Sequence, residues 1–105
     1  ASGGRRIFPA VFQTISFLID YNMSLNDAFN VPRIDYSGEN RILVNENLNQ
    51  DIINSLNNYK ETVDVPDSVF SHLFAAPNAV MTHSNGNKYG NAYVPSPWSS
   101  ALSSE

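Results

Sequence analysis

The sequence predicts an α+β fold in which helices cover a largely antiparallel sheet. Three observations carry that expectation. A long apolar stretch with helical spacing lies near the N-terminus, a second helical pattern sits mid-chain, and short strand-like runs alternate with turn-forming tetrapeptides. At 105 residues the chain reads as a single unit, residues 1–105, large enough for one core. A free-standing domain of this size buries roughly two-thirds of the surface its unfolded chain exposes.

The elements follow in order. Ala1-Ser2-Gly3-Gly4 is a loop signal. From Ile7 to Tyr21, residues Ile7, Val11, Ile15, Leu18 and Ile19 recur at helical intervals, while Phe8, Phe12 and Phe17 make other faces apolar. A helix apolar nearly all round is expected to be buried, with the three phenylalanines in the core. Pro9 suits the first turn, where a missing N–H costs nothing, and Asn22 is placed to end the helix in the left-handed conformation. Ser24, with Asp27 three residues on, is an N-cap pattern that starts a second helix running to about Asn30, stopped by Val31-Pro32.

Residues 33–36 and 41–45 read as two strands around the turn Ser37-Gly38-Glu39-Asn40. Ile52, Ile53, Leu56 and Tyr59 place a third helix over residues 49–58. Residues 62–65 make a short strand closed by Pro66-Asp67, and Asp64 and Asp67 read as turn chemistry. Residues 78–83 and 88–94 flank Ser84-Asn85-Gly86-Asn87, a strong hairpin signal. The tail Pro95-Ser96-Pro97-Trp98-Ser99-Ser100 cannot extend a ladder and is expected to be an exposed or docked end.

Composition narrows the function. Net charge is −4 and the basic residues are scattered except for Arg5-Arg6, whereas nucleic-acid binding needs a clustered basic face. No apolar run approaches the roughly 18 residues of a membrane span. The chain has no cysteine, which excludes disulfides, thiolate nucleophiles and Cys-ligated zinc while leaving the compartment open. The low charged fraction of 15% points to a surface partly covered by other protein. The chain opens on Ala rather than Met, so the expectation is a chain processed, truncated or excised from a longer one.

Several segments together resemble the C-terminal part of the small subunit in the γ-glutamyltransferase (γ-glutamyltranspeptidase) family. Ser2-Gly3-Gly4-Arg5-Arg6-Ile7, followed by Pro9-Ala10-Val11-Phe12-Gln13, is similar to that family's Gly-Gly turn entering a long helix. Ile19-Asp20-Tyr21-Asn22-Met23-Ser24-Leu25, then Ala28 and Asn30-Val31-Pro32-Arg33, resembles its "Asp-Tyr-Gly-Met-Ser-Leu, Ala, Asn-Ala-Pro-Arg" passage. Asn85-Gly86-Asn87-Lys88-Tyr89-Gly90-Asn91-Ala92 is similar to its closing hairpin. The sequence departs from the pattern at Val94-Pro95-Ser96, where the family has Asp-Pro-Arg, and at Arg5, where many members have a small residue.

The resemblance implies part of an N-terminal nucleophile (Ntn) hydrolase αββα sandwich. It implies transfer or hydrolysis of γ-glutamyl amides by a self-cleaving enzyme of glutathione metabolism, with an N-terminal threonine as nucleophile and its own amine as base. By position, Gly3 and Gly4 match the pair whose backbone N–H groups form the oxyanion hole. Glycine suits that role because no Cβ blocks the approach of a substrate oxygen, and the helix after it adds partial positive charge. Read without the resemblance, Gly-Gly is a loop signal only.

The nucleophile is expected outside this chain. Ala1 has no nucleophilic side chain, Thr14 falls in a helix, Thr62 in a strand and Thr82 in a hairpin. The isolated chain is therefore expected to be inactive, and its partners are the rest of its own polypeptide and a γ-glutamyl small molecule. No cofactor or metal is expected. Export to the periplasm or beyond is common in the family.

His72 and His83, with Ser71 or Ser84, could be drawn as a triad, but no nucleophile-elbow motif or spacing supports one, and two histidines so spaced are not a metal signature. Arg33 is expected to be structural, pairing with a carboxylate or carbonyl. Asp20 and Asp27 read as capping or surface groups. The competing reading is a non-catalytic structural or binding module derived from the same fold. A piece of a larger sandwich should expose a broad apolar face, and a self-sufficient module should not.

Overall fold

The computed structural model describes residues 1–67, 73–93 and 100–102. A single 3-10 turn, Gly4–Arg6, leads directly into helix α1, Ile7–Ile19. Pro9 sits in its first turn, and Asn22 leaves it at φ 52. Helix α2, Leu25–Asn30, begins at Ser24, whose hydroxyl accepts the Asp27 N–H at 3.1 Å. Strand β1, Ile34–Asp35, pairs antiparallel with β2, Ile42–Asn45, in the register Ile34–Val44 and Asp35–Leu43.

Helix α3, Gln50–Asn57, is capped by Asn49, whose side-chain oxygen accepts the Asp51 N–H at 2.8 Å. It carries the chain across to β3, Thr62–Val65, which lies parallel to β2. Strands β4, Asn78–Thr82, and β5, Lys88–Ala92, form a separate antiparallel hairpin. The fold is α+β and the element order is the one read from the sequence. Among the described residues, however, the strands make two sheets, and the β2–β3 pair is parallel. A parallel neighbour needs a crossover, and residues 46–61 with α3 supply it.

Ile42, Val44 and Ile53 form a cluster joined by the partly buried Ile34, Leu48 and Leu56. Val44 is fully enclosed, which is worth about 1.5–3 kcal/mol relative to exposure. Also buried, outside that cluster, are Ala10 on α1, Leu25, Ala28 and Phe29 on α2, and Phe74, Ala75 and Tyr93. Helix α2 packs against both α1 and β5, and the chain returns at Ala101 to lie against Gly90.

Helix α1 departs from expectation. Only Ala10 and Thr14 are buried, while Phe8, Phe12 and Ile19 are 84%, 74% and 74% exposed. Phe17 is half-buried and meets Tyr21 edge-on. The helix has an apolar surface that calls for cover on two sides, and the described residues supply one. The radius of gyration, 14.4 Å, exceeds the about 13 Å of a compact domain of this length. Among the described residues no helix is long and apolar enough to cross a membrane.

Candidate functional site

Gly3 and Gly4 form the link between an extended segment and α1. Ser2 makes a two-way backbone pair with Ala76, its N–H donating at 3.0 Å and its carbonyl accepting at 2.7 Å. Gly3 then adopts φ 145, ψ 21 and Gly4 φ 60. The Arg6 N–H closes the turn on the Gly3 carbonyl at 3.2 Å, and the Ile7 N–H on that of Gly4. Among the described residues neither the Gly3 nor the Gly4 N–H has a partner. Two adjacent free N–H groups at a helix entrance make a concavity suited to negative charge.

Glycine is needed at these positions for different reasons. A Cβ on Gly3 would stand 2.5 Å from the Ala75 Cβ and 2.8 Å from its Cα, so contact alone excludes a side chain. A Cβ on Gly4 would meet nothing within 4 Å; there the requirement is the left-handed backbone. Ala75 itself has φ 56 and is fully buried, which places its methyl against Gly3.

Arg33 holds that neighbouring segment in place. Its guanidinium donates to the Phe74 carbonyl at 2.6 Å and to that of Ala75 at 3.4 Å, and lies 5.2 Å from the centre of the Tyr93 ring. Burial pushes the Arg33 pKa below the ordinary arginine value, opposed by Tyr93 and Asp35. Burial likewise raises that of the Tyr93 hydroxyl, opposed by Arg33. The carbonyl partners expected for Arg33 are these two.

The other side of the turn faces β1. Arg6 Nε donates to Asp35 Oδ2 at 3.3 Å, and the Ser37 hydroxyl donates to the same oxygen at 3.2 Å. Asp35 is 4% exposed, and among the described residues its Oδ1 is buried without a partner. Arg5 pairs with Glu39 in the β1–β2 turn. Gln13 on α1 fastens β1 as a strand neighbour would: its Nε2 donates to the Ile34 carbonyl at 2.8 Å and its Oε1 accepts the Ile34 N–H at 3.0 Å. Neither Asp35 nor Gln13 stands out in the sequence as a functional residue. The signal for Gln13 is a lone amide in an apolar helix; for Asp35 there is none.

The remaining candidates lie elsewhere. Thr14 is buried with its hydroxyl on the Ala10 carbonyl, Thr62 bonds Asn57, and Thr82 ends β4. His83 is exposed and meets Tyr89 edge-on at 4.9 Å; His72, Ser71 and the tail 94–99 lie outside the described residues. Asp20 is an exposed acceptor for Ser16, and Asp27 is exposed at the α2 cap. Asp64 belongs to β3 rather than to a turn. Asp67 accepts from the side-chain amides of Asn45 at 2.7 Å and Asn47 at 2.8 Å. Among the described residues no three His, Asp or Glu side chains gather as a metal site would require.

Two hollows accompany the turn. A cleft of about 190 Å³ lies beside Arg33, lined also by Asn45, Asp67, Phe74 and Tyr93, and does not reach the glycines. A shallow apolar groove of about 590 Å³ runs along α1 past Arg5, Phe8, Phe12 and Tyr36.

Comparison with known proteins places the chain in a family. Residues 1–94 match the family model of γ-glutamyltranspeptidase, whereas curated proteins give no match. A threonine-to-alanine mutant of Helicobacter pylori γ-glutamyltranspeptidase has a TM-score of 0.70 at 25% identity, covering 89% of this chain and 50% of that one. A highly active tryptophan-to-aspartate mutant of the enzyme from Pseudomonas nitroreducens has a TM-score of 0.74 at 16% identity, covering 98% and 53%. The transpeptidase CapD of Bacillus anthracis has 0.71 at 19%, covering 93% and 59%. At those identities the last two show the fold alone. The chain spans about half the length of the solved chains it matches. Matched in sequence over almost its whole length and in fold to these structures, it belongs to the γ-glutamyltranspeptidase family.

Proposed function

We propose that this chain is a portion of a γ-glutamyltransferase or hydrolase. It transfers or hydrolyses γ-glutamyl amides through an N-terminal threonine located outside the chain. Gly3 and Gly4 supply backbone N–H donors to the oxyanion of the tetrahedral intermediate. A hydroxyl nucleophile needs an adjacent base, and a terminal amine is that base in this reading. The developing negative charge needs donors already in position, each worth about 10²–10³ in rate. The observation that carries the assignment is the pair of free N–H groups at the mouth of α1, on a turn whose shape only glycine allows.

The partner is the remainder of the same polypeptide. The exposed Phe8, Phe12 and Ile19 favour this over a self-sufficient, non-catalytic module, which would seal such a face with polar groups. In this reading the isolated chain is inactive, and maturation of the enzyme is autoproteolytic.

The test compares the full polypeptide carrying this segment with the 105-residue chain, both supplied with a γ-glutamyl anilide. The expected result is turnover by the first alone, together with N-terminal sequencing that finds a chain beginning with threonine. Turnover by the 105-residue chain would refute the missing nucleophile. A full polypeptide without turnover and without such a threonine would establish the non-catalytic module.

A further inference from the structure

We propose that Asp35 is a positioning residue for the Gly3–Gly4 turn, acting through Arg6; the proposal rests on reading that turn as the oxyanion site. The turn is anchored on two sides. On one, the Ser2–Ala76 backbone pair and the Gly3–Ala75 contact fix where the chain enters. That anchor does not reach Gly4: nothing lies within 4 Å of where its Cβ would be, and its carbonyl is held from the other side, by the Ile7 N–H. The direction of the Gly4 N–H therefore depends on the residues after it.

The decisive one is Arg6, which is held twice. Its N–H is on the Gly3 carbonyl, and its Nε is on Asp35. The first bond spans the turn; the second ties it to a fixed point. Asp35 is suited to be that point. Its strand is paired with β2 on one side and bonded by the Gln13 amide on the other, and a site built on a rigid strand is held more accurately than one built on a loop.

The pair is also buried where it counts, with the Asp35 side chain 5% exposed and that of Arg6 22%. A carboxylate so enclosed depends on its counter-charge, and removing either partner leaves the other uncompensated. The parallel pair of Arg5 with Glu39 is exposed at 58% and 40%. Exposed pairs contribute little, so the constraint falls on Asp35 and Arg6.

The experiment uses the full polypeptide and a γ-glutamyl anilide, with kcat, KM and the thermal midpoint measured for Asp35→Asn, Asp35→Glu and Arg6→Lys. Ser24→Ala, a cap deletion remote from the turn, is the stability control. Displaced rather than deleted donors should lower kcat about tenfold to a hundredfold in Asp35→Asn. KM should stay within about twofold, because substrate binding does not use the oxyanion donors. Asp35→Glu should recover part of the rate. Should Asp35→Asn fail to fold, Arg6→Lys, which keeps the charge and moves the donor, is expected to show the same split.

Unchanged kcat in Asp35→Asn, or an equal loss in Ser24→Ala, overturns the proposal. Gly4→Ala, whose new Cβ meets nothing within 4 Å, separates the two levels when its thermal midpoint is measured alongside. If it stays folded and loses turnover while Asp35→Asn does not, the glycine site stands and Asp35 has no part in it. If folded Gly4→Ala is fully active, the glycine assignment itself is wrong.

Discussion

Replacing Gly3 by alanine tests whether the turn is set by contact or by backbone conformation. Two costs are separable. At φ 145, ψ 21 a residue with a Cβ is strained by about 1–3 kcal/mol. The new methyl would also lie 2.5 Å from the Ala75 Cβ, against the ~3.5–4.0 Å of a relaxed carbon contact, and overpacking of that kind costs about 1–3 kcal/mol. Gly3→Ala should thus destabilise by about 2–6 kcal/mol. Gly4→Ala, with a strained backbone but open space, should cost about 1–2 kcal/mol. Ala75→Gly alone should be near neutral. It loses a buried methyl worth about 0.8 kcal/mol but relieves a positive φ worth about 1–2 kcal/mol. Combined with Gly3→Ala it removes the shortest contact. The 2.8 Å approach to the Ala75 Cα remains, so recovery should be partial, about 1 kcal/mol. Urea unfolding of the full polypeptide, read as a double-mutant cycle, gives the coupling directly. Equal costs for Gly3→Ala and Gly4→Ala, or no coupling to Ala75→Gly, would refute the idea that Ala75 shapes the turn.

Arg33→Met should cost about 2–4 kcal/mol in the same assay, since it strands the buried Phe74 and Ala75 carbonyls. Arg33→Lys should recover only part, because an ammonium lacks the planar fork. Gln13→Leu removes both side-chain bonds to Ile34; a loss of about 1–3 kcal/mol should appear as faster hydrogen exchange at the Ile34 amide. Burial raises the Tyr93 pKa in the folded state, so its stabilising contribution is complete below the ordinary tyrosine value near 10 and is lost as pH rises through the higher folded value. Tyr93→Phe should flatten that alkaline decline in stability; an unchanged slope above about pH 10 would show that another group causes it.

Local signals are readable in the sequence and distant ones are not. The Ser24 cap, the left-handed Asn22, the third helix and the 62–65 strand all rest on interactions within a few residues, and each is visible in the residues themselves. The parallel β2–β3 pairing is not, because two short strands carry no mark of relative direction; the crossover decides it. The exposure of α1 is hidden for the opposite reason. Its pattern describes the surroundings it is built for, and Phe8 and Phe12 find no cover among the described residues. At the glycine turn the sequence points to Gly3 and Gly4 but not to their supports. Ala75, Ala76, Arg33 and Asp35 come from separate stretches, and an alanine with φ 56 has no local signature at all.

The Ser2–Ala76 backbone pair bears on timing. It closes most of the chain into one loop, and closing long loops is thermodynamically mild but slow, since many residues must be ordered before the contact forms. Helices such as α1 and α3 can form on their own schedule; the glycine turn cannot. A growing chain that has not yet reached Ala76 holds α1 without the partner that sets the entrance to it. The Gly3 N–H at the mouth of that helix therefore takes its final direction only once Ala75 and Ala76 have arrived, which makes a native entrance to α1 a late event in folding.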